Sequence, residues 1–339
     1  MRKKIVGMLT TATLLTMALA GNVQAAEIRS VGPDGEAAVD ASTIELTDDQ
    51  IAQIKEGGYT AAICLHYGGN DWSTSQQKGL EDTFGELGIE IVAVTDANFS
   101  AETQVSNIET VMAKKPDILV SIPTDATATA DAYKQAAAAG IKIVFMDQRA
   151  NGLEAGKDYV SVVSADNYGN GYASGTVLGD ALGGKGKVAM VYYDANFAPT
   201  NQRDEGFRDA MKNYPDIEIV TEQGFTDESG CAEQGDAILT QFPNIDGIYA
   251  SWDVPMEGVL SAVRAAGMEG KVTLACNDLG NNVAREIASG NIAGGGAQMP
   301  YDQGVAEAKL AALALLGEET PSYVAVPAET VTHENVLEA

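Results

Sequence analysis

From Tyr59 onward the chain alternates between short, almost continuously apolar runs and longer stretches in which apolar residues recur every three or four positions. Short runs of this kind suit strands buried on both faces, and the longer ones suit helices with one buried stripe. The pattern predicts strands at Tyr59–His66, Ile89–Thr95, Asp117–Ile122, Ile141–Asp147 and Val160–Ser164. A second series follows at Lys187–Tyr192, Ile217–Thr221, Gly247–Ser251, Val272–Asn277 and Ile292–Gln298. Helices are predicted between them at Ser73–Leu87, Ala101–Lys114, Ala126–Ala139, Ala232–Gln241 and Met256–Ala266, each ending near Gly88, Pro116, Gly140, Pro243 or Gly267. Glycine or proline at these places is where helices stop. Strand–helix alternation implies right-handed crossovers and an α/β fold with doubly wound parallel sheets. The number of strands fits two sheets better than one.

The two series rhyme. Lys142–Asp147 and Lys271–Asp278 are strands ending in an aspartate, and each follows a similar strand, Pro116–Val120 and Asn244–Tyr249. An internal duplication is the simplest source of such a pattern. Residues 26–57 stand outside the series, with a capped helix expected after Thr47, where Gln50 three residues on completes a capping box.

Composition narrows the function classes. In 339 residues there are 48 acidic and 21 basic side chains, a formal charge of −27. Such a surface repels phosphate backbones and anionic lipid, which excludes nucleic acid and membrane surfaces as expected partners. The first 25 residues read as an export signal, with Arg2, Lys3 and Lys4 before an apolar stretch and Val23 and Ala25 as small residues at a cleavage site. Those three basic residues are the only charges in the segment, so its removal would leave −30. A periplasmic location follows as an expectation. Cys64, Cys231 and Cys276 are an odd set that cannot all pair within one chain, and no Cys/His cluster with metal-ligand spacing occurs. Neither a metal nor a cofactor is expected.

In open α/β sheets ligands bind beyond the carboxyl ends of strands. The residues there are Asn70 and Trp72 after the first strand and Asp147 and Arg149 after the fourth. In the second series they are Arg203 in a loop after the sixth strand, Trp252 after the eighth, Asp278 after the ninth and Gln298 at the tenth. Carboxylates, guanidinium groups, amides and indole rings suit a neutral polyhydroxylated ligand, since each hydroxyl both donates and accepts and aromatic faces cover C–H surface. Asp166 and Asp253 are expected instead to cap the helices that follow them.

These residues carry a resemblance. Ile122-Pro123-Thr124-Asp125, Val144-Phe145-Met146-Asp147, Ser164-Ala165-Asp166-Asn167, Arg203-Asp204-Glu205-Gly206-Phe207, Asn277-Asp278, and Gln298 before Pro300 follow one another as in the type I periplasmic sugar-binding proteins. From about Tyr59 to Val331 the chain resembles the ribose-binding members of that family. The resemblance implies two α/β lobes joined by three hinge crossovers, a monosaccharide or polyol clamped between them, and delivery to the permease of a membrane ABC transporter by a monomer. Carried across by position, it makes Asn70, Trp72 and Asp147 first-lobe contacts, with Arg203, Trp252 and Asp278 on the second lobe and Gln298 at a crossover. Phe225 matches an aromatic pocket position. The family's Asp-Arg pair becomes Asp147-Gln148-Arg149, which displaces the arginine by one. The implied division is a signal peptide at 1–25, an N-terminal extension at 26–58, a first lobe at 59–164 plus 299–326, and a second at 165–298 plus 327–339.

Three other readings compete. Gly169, Gly171 and Gly175 after a strand mimic a dinucleotide fingerprint, though with the spacing of the last pair one residue too long. With His66 and His333 as the only histidines, acid–base catalysis has few candidates, and no catalytic residue is assigned. A transcriptional regulator of the lactose-repressor kind would carry a DNA-binding headpiece where the export signal stands. A sensor that shows its closed form to a membrane receptor is compatible with the transport reading.

Overall fold

A computed structural model describes residues 27–339; the export signal expected at 1–25 lies outside the described residues. Two parallel sheets form the frame. In the first, β1 (Val39–Asp40), β2 (Thr60–Leu65), β3 (Glu90–Asp96), β4 (Ile118–Ser121), β5 (Lys142–Met146), β6 (Ser161–Ala165) and a late strand, Tyr323–Val326, lie side by side. The second takes β7 (Lys185–Tyr193), β8 (Asp216–Phe225), β9 (Gly247–Ala250), β10 (Thr273–Cys276) and β11 (Gly294–Ala297). Tyr323–Val326 is β12, and it sits between β1 and β6. The final strand, β13 (Glu329–Thr332), closes the second sheet antiparallel to β11. All ten strands of the periodicity appear in their predicted order.

The helices explain why the central strands read as unbroken apolar runs. On one face of the first sheet α1 (Asp48–Gly57), α2 (Asp71–Leu87) and the late helix Pro300–Leu315 bury Ile54, Leu80, Phe84 and Leu310 against Ile63, Val120 and Val144. On the other face α3 (Ala101–Ala113) and α4 (Ala130–Ala138) bury Ile108, Val111 and Tyr133 against Cys64, Leu119 and Phe145. The second sheet is covered by α5 (Asn167–Ala181) and α6 (Ala198–Met211) on one side. On its other side lie α7 (Cys231–Gln241), α8 (Asp253–Ala265) and α9 (Asn281–Ala288). Pro300–Leu315 is α10, and it returns to the first sheet after the chain has left the second. The chain crosses between the sheets after β6, after β11 and after β12.

Several elements depart from the expectation. Arg203 lies on a helix, not in a loop; Pro199 occupies the first turn of α6, where its missing N–H costs nothing. Helix α4 begins four residues later than predicted because the Asp125 carboxylate accepts from the Thr127 and Ala128 N–H groups and holds a turn. The capping box at Thr47 and Gln50 is present. The segment ahead of it is not separate from the series, since β1 extends the first sheet alongside β12.

That segment also straps the two lobes. The Asp166 carboxylate, at the first crossover, accepts from the N–H groups of Arg29 and Ser30 at 3.0 and 2.8 Å as well as capping α5 through Gly169. Ser30 Oγ accepts from Tyr168 N–H, the Arg29 guanidinium lies 4.1 Å over the Tyr172 ring, and Gln202 donates to the Val31 carbonyl. Three residues on, the Asp34 carboxylate accepts two bonds from Arg149, and β1 then enters the first sheet.

Candidate functional site

The carboxyl edges of the two sheets face each other, and a narrow cavity of about 50 Å³ lies between them. From the first lobe come His66, Tyr67, Asn70, Trp72, Phe99, Ile122 and Asp147; from the second come Tyr193, Phe197, Pro199, Thr200, Arg203, Trp252 and Asp278. Of the residues expected at the site, Asn70, Trp72, Asp147, Arg203, Trp252 and Asp278 therefore line one space.

Arg203 is the centre of its polar side. Helix α6 carries it into the cleft, where it is 5% exposed. Its Nη1 donates to Asp278 Oδ2 at 3.1 Å and to the Ser251 carbonyl, and its Nε donates to Asn167 Oδ1 at 2.8 Å. Asn167 donates in turn to Ser164 Oγ, and Ser164 donates to Asp147 Oδ1 at 2.8 Å. A parallel chain starts from Asp278, whose Oδ1 accepts from Gln298 Nε2 at 2.6 Å, while Gln298 Oε1 accepts from Trp72 Nε1 at 3.3 Å. The one guanidinium thus reaches the first lobe by two hydrogen-bonded routes. Burial pushes the Asp147 carboxyl upward from its usual range, and the charge of Arg203 opposes that push.

Close approach of α5 to α6 is what brings Arg203 there. A Cβ on Gly171 would sit 1.8 Å from the Arg203 carbonyl, and one on Gly206 would sit 2.1 Å from the Tyr168 carbonyl. All three glycines of the fingerprint-like run thus lie within α5, Gly171 and Gly175 packed against α6 and Gly169 against the Asp166 carboxylate that caps the helix, not in a loop open to a pyrophosphate.

Rings supply the rest of the wall. His66 stacks on Phe197 across the cleft, with centroids 5.7 Å apart, and its edge meets Tyr67, Trp72 and Phe99. Trp252 donates to Glu228 Oε1 at 2.9 Å and packs against Tyr193 and Phe225. Phe225 is buried behind these rings and backs the wall without lining the cavity. Burial lowers the His66 imidazole to about 3, so it is neutral, and its Nδ1 has no partner among the described residues.

Arg149 does not reach this cavity. Its guanidinium is held by Asp34, by the Leu153 carbonyl and, at 3.5 Å, by Tyr159, on the far side of Asp147. Asp166 caps its helix as expected, whereas Asp253 accepts from Val254 N–H and from Gly280 N–H, tying the start of α8 to the start of α9. Burial, then the neighbouring Asp278 charge, pushes Asp253 up to about 7. The cavity residues missing from the sequence reading are His66, Tyr67, Phe99, Ile122, Tyr193, Phe197, Pro199 and Thr200. Pro199 and Thr200 sit on α6, and the others at strand ends or in the loops just beyond them, where strand-end position was the one available signal.

The lobes also touch through side chains placed on helix N-termini. Asp71 Oδ2 accepts from Asn281 N–H at 2.7 Å, and Gln148 Oε1 accepts from Ala198 N–H at 3.2 Å. Each is a side chain of the first lobe on the first turn of a second-lobe helix, where unpaired N–H groups and the helix dipole favour an oxygen. Beside the first contact a groove of about 720 Å³, sharing Trp72 and Asp278 with the cavity, opens to solvent.

Two lobes of doubly wound α/β structure, joined by three crossovers around a polar and aromatic cleft, define a clamp for a small molecule. The periplasmic binding protein domain matches residues 61–319, and the chain belongs to that family. Among curated relatives, the D-ribose/D-allose-binding protein of Pseudomonas aeruginosa is 29% identical over 273 residues, covering 77% of this chain and 83% of its own. The ribose import binding protein of Bacillus subtilis is 27% identical over 213 residues, 62% of this chain and 67% of its own. A periplasmic solute-binding protein of Actinobacillus succinogenes, solved with bound D-allose, superposes with a TM-score of 0.77 at 29% identity, covering 83% of this chain and all of the other. One from Agrobacterium vitis with bound α-D-tagatopyranose gives 0.77 at 26% identity, covering 83% and 96%.

Proposed function

We propose that the protein is an extracytoplasmic receptor that closes on a neutral monosaccharide or related polyol and hands it to a membrane ABC importer. The observation that carries this reading is the Arg203 node, with a carboxylate from each lobe, Asp147 and Asp278, within its reach and rings on the remaining sides. A hydroxyl between Arg203 and either aspartate accepts from one and donates to the other, so neighbouring hydroxyls on a sugar ring satisfy both. With one cation among several acids, the cleft suits an uncharged ligand. Asn70, Trp72 and Asp147 form the first-lobe contacts, Arg203, Trp252 and Asp278 the second-lobe contacts, and Gln298 a contact at the crossover.

The cavity is narrow because rings of the two lobes meet directly. Entry of a sugar therefore requires the lobes to part about the crossovers near Ala165, Met299 and Val326, with the first lobe at 59–164 plus 299–326 and the second at 165–298 plus 327–339. The closed, filled form is the one presented to the permease of the importer, and the receptor acts as a monomer in the periplasm. The relatives' bound D-allose and α-D-tagatopyranose, and their ribose-binding names, support the ligand class.

A thermal-shift screen of purified protein against aldoses, ketoses and cyclic polyols tests it. A ligand at 100 times its Kd adds about 2.7 kcal/mol to native stability. A shift with one or a few neutral sugars is expected. No shift with any of them, alongside one with an amino acid or an organic acid, would overturn the ligand class.

A further inference from the structure

One layer behind the cleft lies a buried polar group that none of the contacts above includes. Gln76 on α2 and Gln303 and Glu307 on α10 are each 0% exposed. They are sealed in because the two helices approach closely, a Cβ on Gly304 falling 2.3 Å from the Gln76 carbonyl and one on Gly79 falling 2.1 Å from that of Tyr301. Gln76 Nε2 donates to Glu307 Oε1 at 2.6 Å. One turn earlier on the same helix, Gln303 Nε2 points at Asp147 Oδ1, 3.4 Å away.

Three oxygens of this group, Gln76 Oε1, Gln303 Oε1 and Glu307 Oε2, have no hydrogen-bond partner among the described residues. All are acceptors if Glu307 is ionised, and a buried set of acceptors with no donor is costly. One proton on Glu307 Oε2 changes that, since side chains four apart on a helix face each other and the new O–H can meet the Gln303 carbonyl oxygen. An amide has two unlike ends. Once its oxygen is engaged by Glu307, its N–H₂ must face Asp147. An ionised Glu307 would draw the N–H₂ to itself and turn the amide oxygen against the Asp147 carboxylate.

We propose that Gln76, Glu307 and Gln303 form a buried bracket in which the carboxyl group of Glu307 is a hydrogen-bond donor, fixing the Gln303 amide and through it the Asp147 carboxylate. Gln303 and Glu307 are thus positioning residues for the cleft; their relevance to binding rests on Asp147 being a ligand contact. Burial, reinforced by the Asp147 charge, pushes the Glu307 carboxyl well above its ordinary range, which agrees with the bracket. Gln76 and Asp147 are the polar and charged groups that bear on it.

Infrared difference spectra at neutral pH test the donor directly, without a ligand. Wild type minus Glu307→Gln should show the carbonyl band of a protonated acid, and a carboxylate band there instead would overturn the bracket. The link to Asp147 is read by ¹³C titration of labelled aspartate, with the Asp147 resonance identified by its loss in Asp147→Asn. Gln303→Met should raise the Asp147 midpoint, and an unchanged midpoint would break the link. With D-allose as probe, Glu307→Gln, which keeps a donor, should bind within about threefold of wild type, and Glu307→Met should bind about 10-fold or more weakly. Equal binding by both also counts against the bracket. If wild type binds no sugar, the receptor reading fails while the infrared and ¹³C measurements still decide the bracket.

Discussion

Asp147 and Asp278 occupy matching places in the two lobes and share an unusual backbone state. Asp147 directly follows β5, Asp278 lies two residues beyond the end of β10, and each has a positive φ, 53° and 69°. Left-handed backbone is costly for most side chains and least so for glycine, asparagine and aspartate. The bend places both carboxylates beside Arg203, where each raises the stability of its positive charge against the cost of burial.

That arrangement separates Arg203 from Arg149, the other arginine expected at the site. Arg203→Ala removes one partner of a buried charge-assisted set, which typically costs about 2–5 kcal/mol, or roughly 30- to 5,000-fold in affinity. Calorimetric titration with D-allose and D-ribose should show that loss in a protein that still melts cooperatively. Arg149→Ala, whose guanidinium faces Asp34, should bind within about threefold of wild type. Equal losses from the two substitutions would place Arg149 on the ligand after all.

The contacts of Asp71 with Asn281 and of Gln148 with Ala198 join the lobes directly, protein group to protein group. Replacing both Asp71 and Gln148 by alanine should shift the free protein toward open forms and leave the filled form as compact as before, because ligand contacts then dominate closure. Small-angle scattering checks this. A radius of gyration for the free variant equal to that of the free wild type would mean these contacts do not govern the closed population.

Acid stability carries the signature of His66. Its imidazole falls from 6.5 to about 3 in the native state, so between those values the unfolded chain binds a proton that the native one refuses. Native stability from this group is lost as pH falls through that window, by about 1.4 kcal/mol per unit. Asp253, raised from 3.8 to about 7, acts oppositely: the native state holds the extra proton, so its contribution improves as pH falls through its window. Denaturant titrations of His66→Phe and wild type should therefore converge or cross on acidification, the variant gaining about 2 kcal/mol between pH 7 and pH 5. A constant difference would show that the imidazole titrates normally.

Asp166 joins the strap to the hinge and is 1% exposed. Loss of a helix cap costs about 1 kcal/mol and loss of hydrogen bonds to a charged group about 1.5–3 kcal/mol. Asp166→Ala should thus destabilise by about 2–4 kcal/mol and make residues 27–38 the first site of limited proteolysis. Cleavage elsewhere first would show that the segment's other ties hold it without Asp166.

The ten strands in chain order and the helices α2, α3, α4, α7 and α8 were legible because burial leaves long apolar runs and apolar stripes, and the aspartates at strand ends stood out by position. Arg203 was legible as a residue but not as part of a helix, since Asn201, Gln202, Arg203, Asp204 and Glu205 are polar in a row and the burial of that turn depends on glycines in α5. The strap was hidden for another reason. Its partners, Asp166 and Arg149, lie more than a hundred residues away, and no local pattern encodes such a pairing. Arg149 looked like a neighbour of the ligand because it is a sequence neighbour of Asp147. The left-handed turn at Asp147 instead sends Gln148 to the Pro123 carbonyl and Arg149 to the strap.

The cleft also has an optical property. Trp72 and Trp252 are the only tryptophans in the chain, one on each lobe, both facing the same narrow space and each with its indole N–H engaged, by Gln298 and by Glu228. With excitation where tyrosine absorbs little, all the tryptophan emission of the molecule originates at the wall of this space. Parting the lobes wets both indoles and should redden the spectrum, and filling the cleft should reverse it. The protein carries an intrinsic dye pair placed where its state changes, and its cycle can be followed in real time without attaching a label.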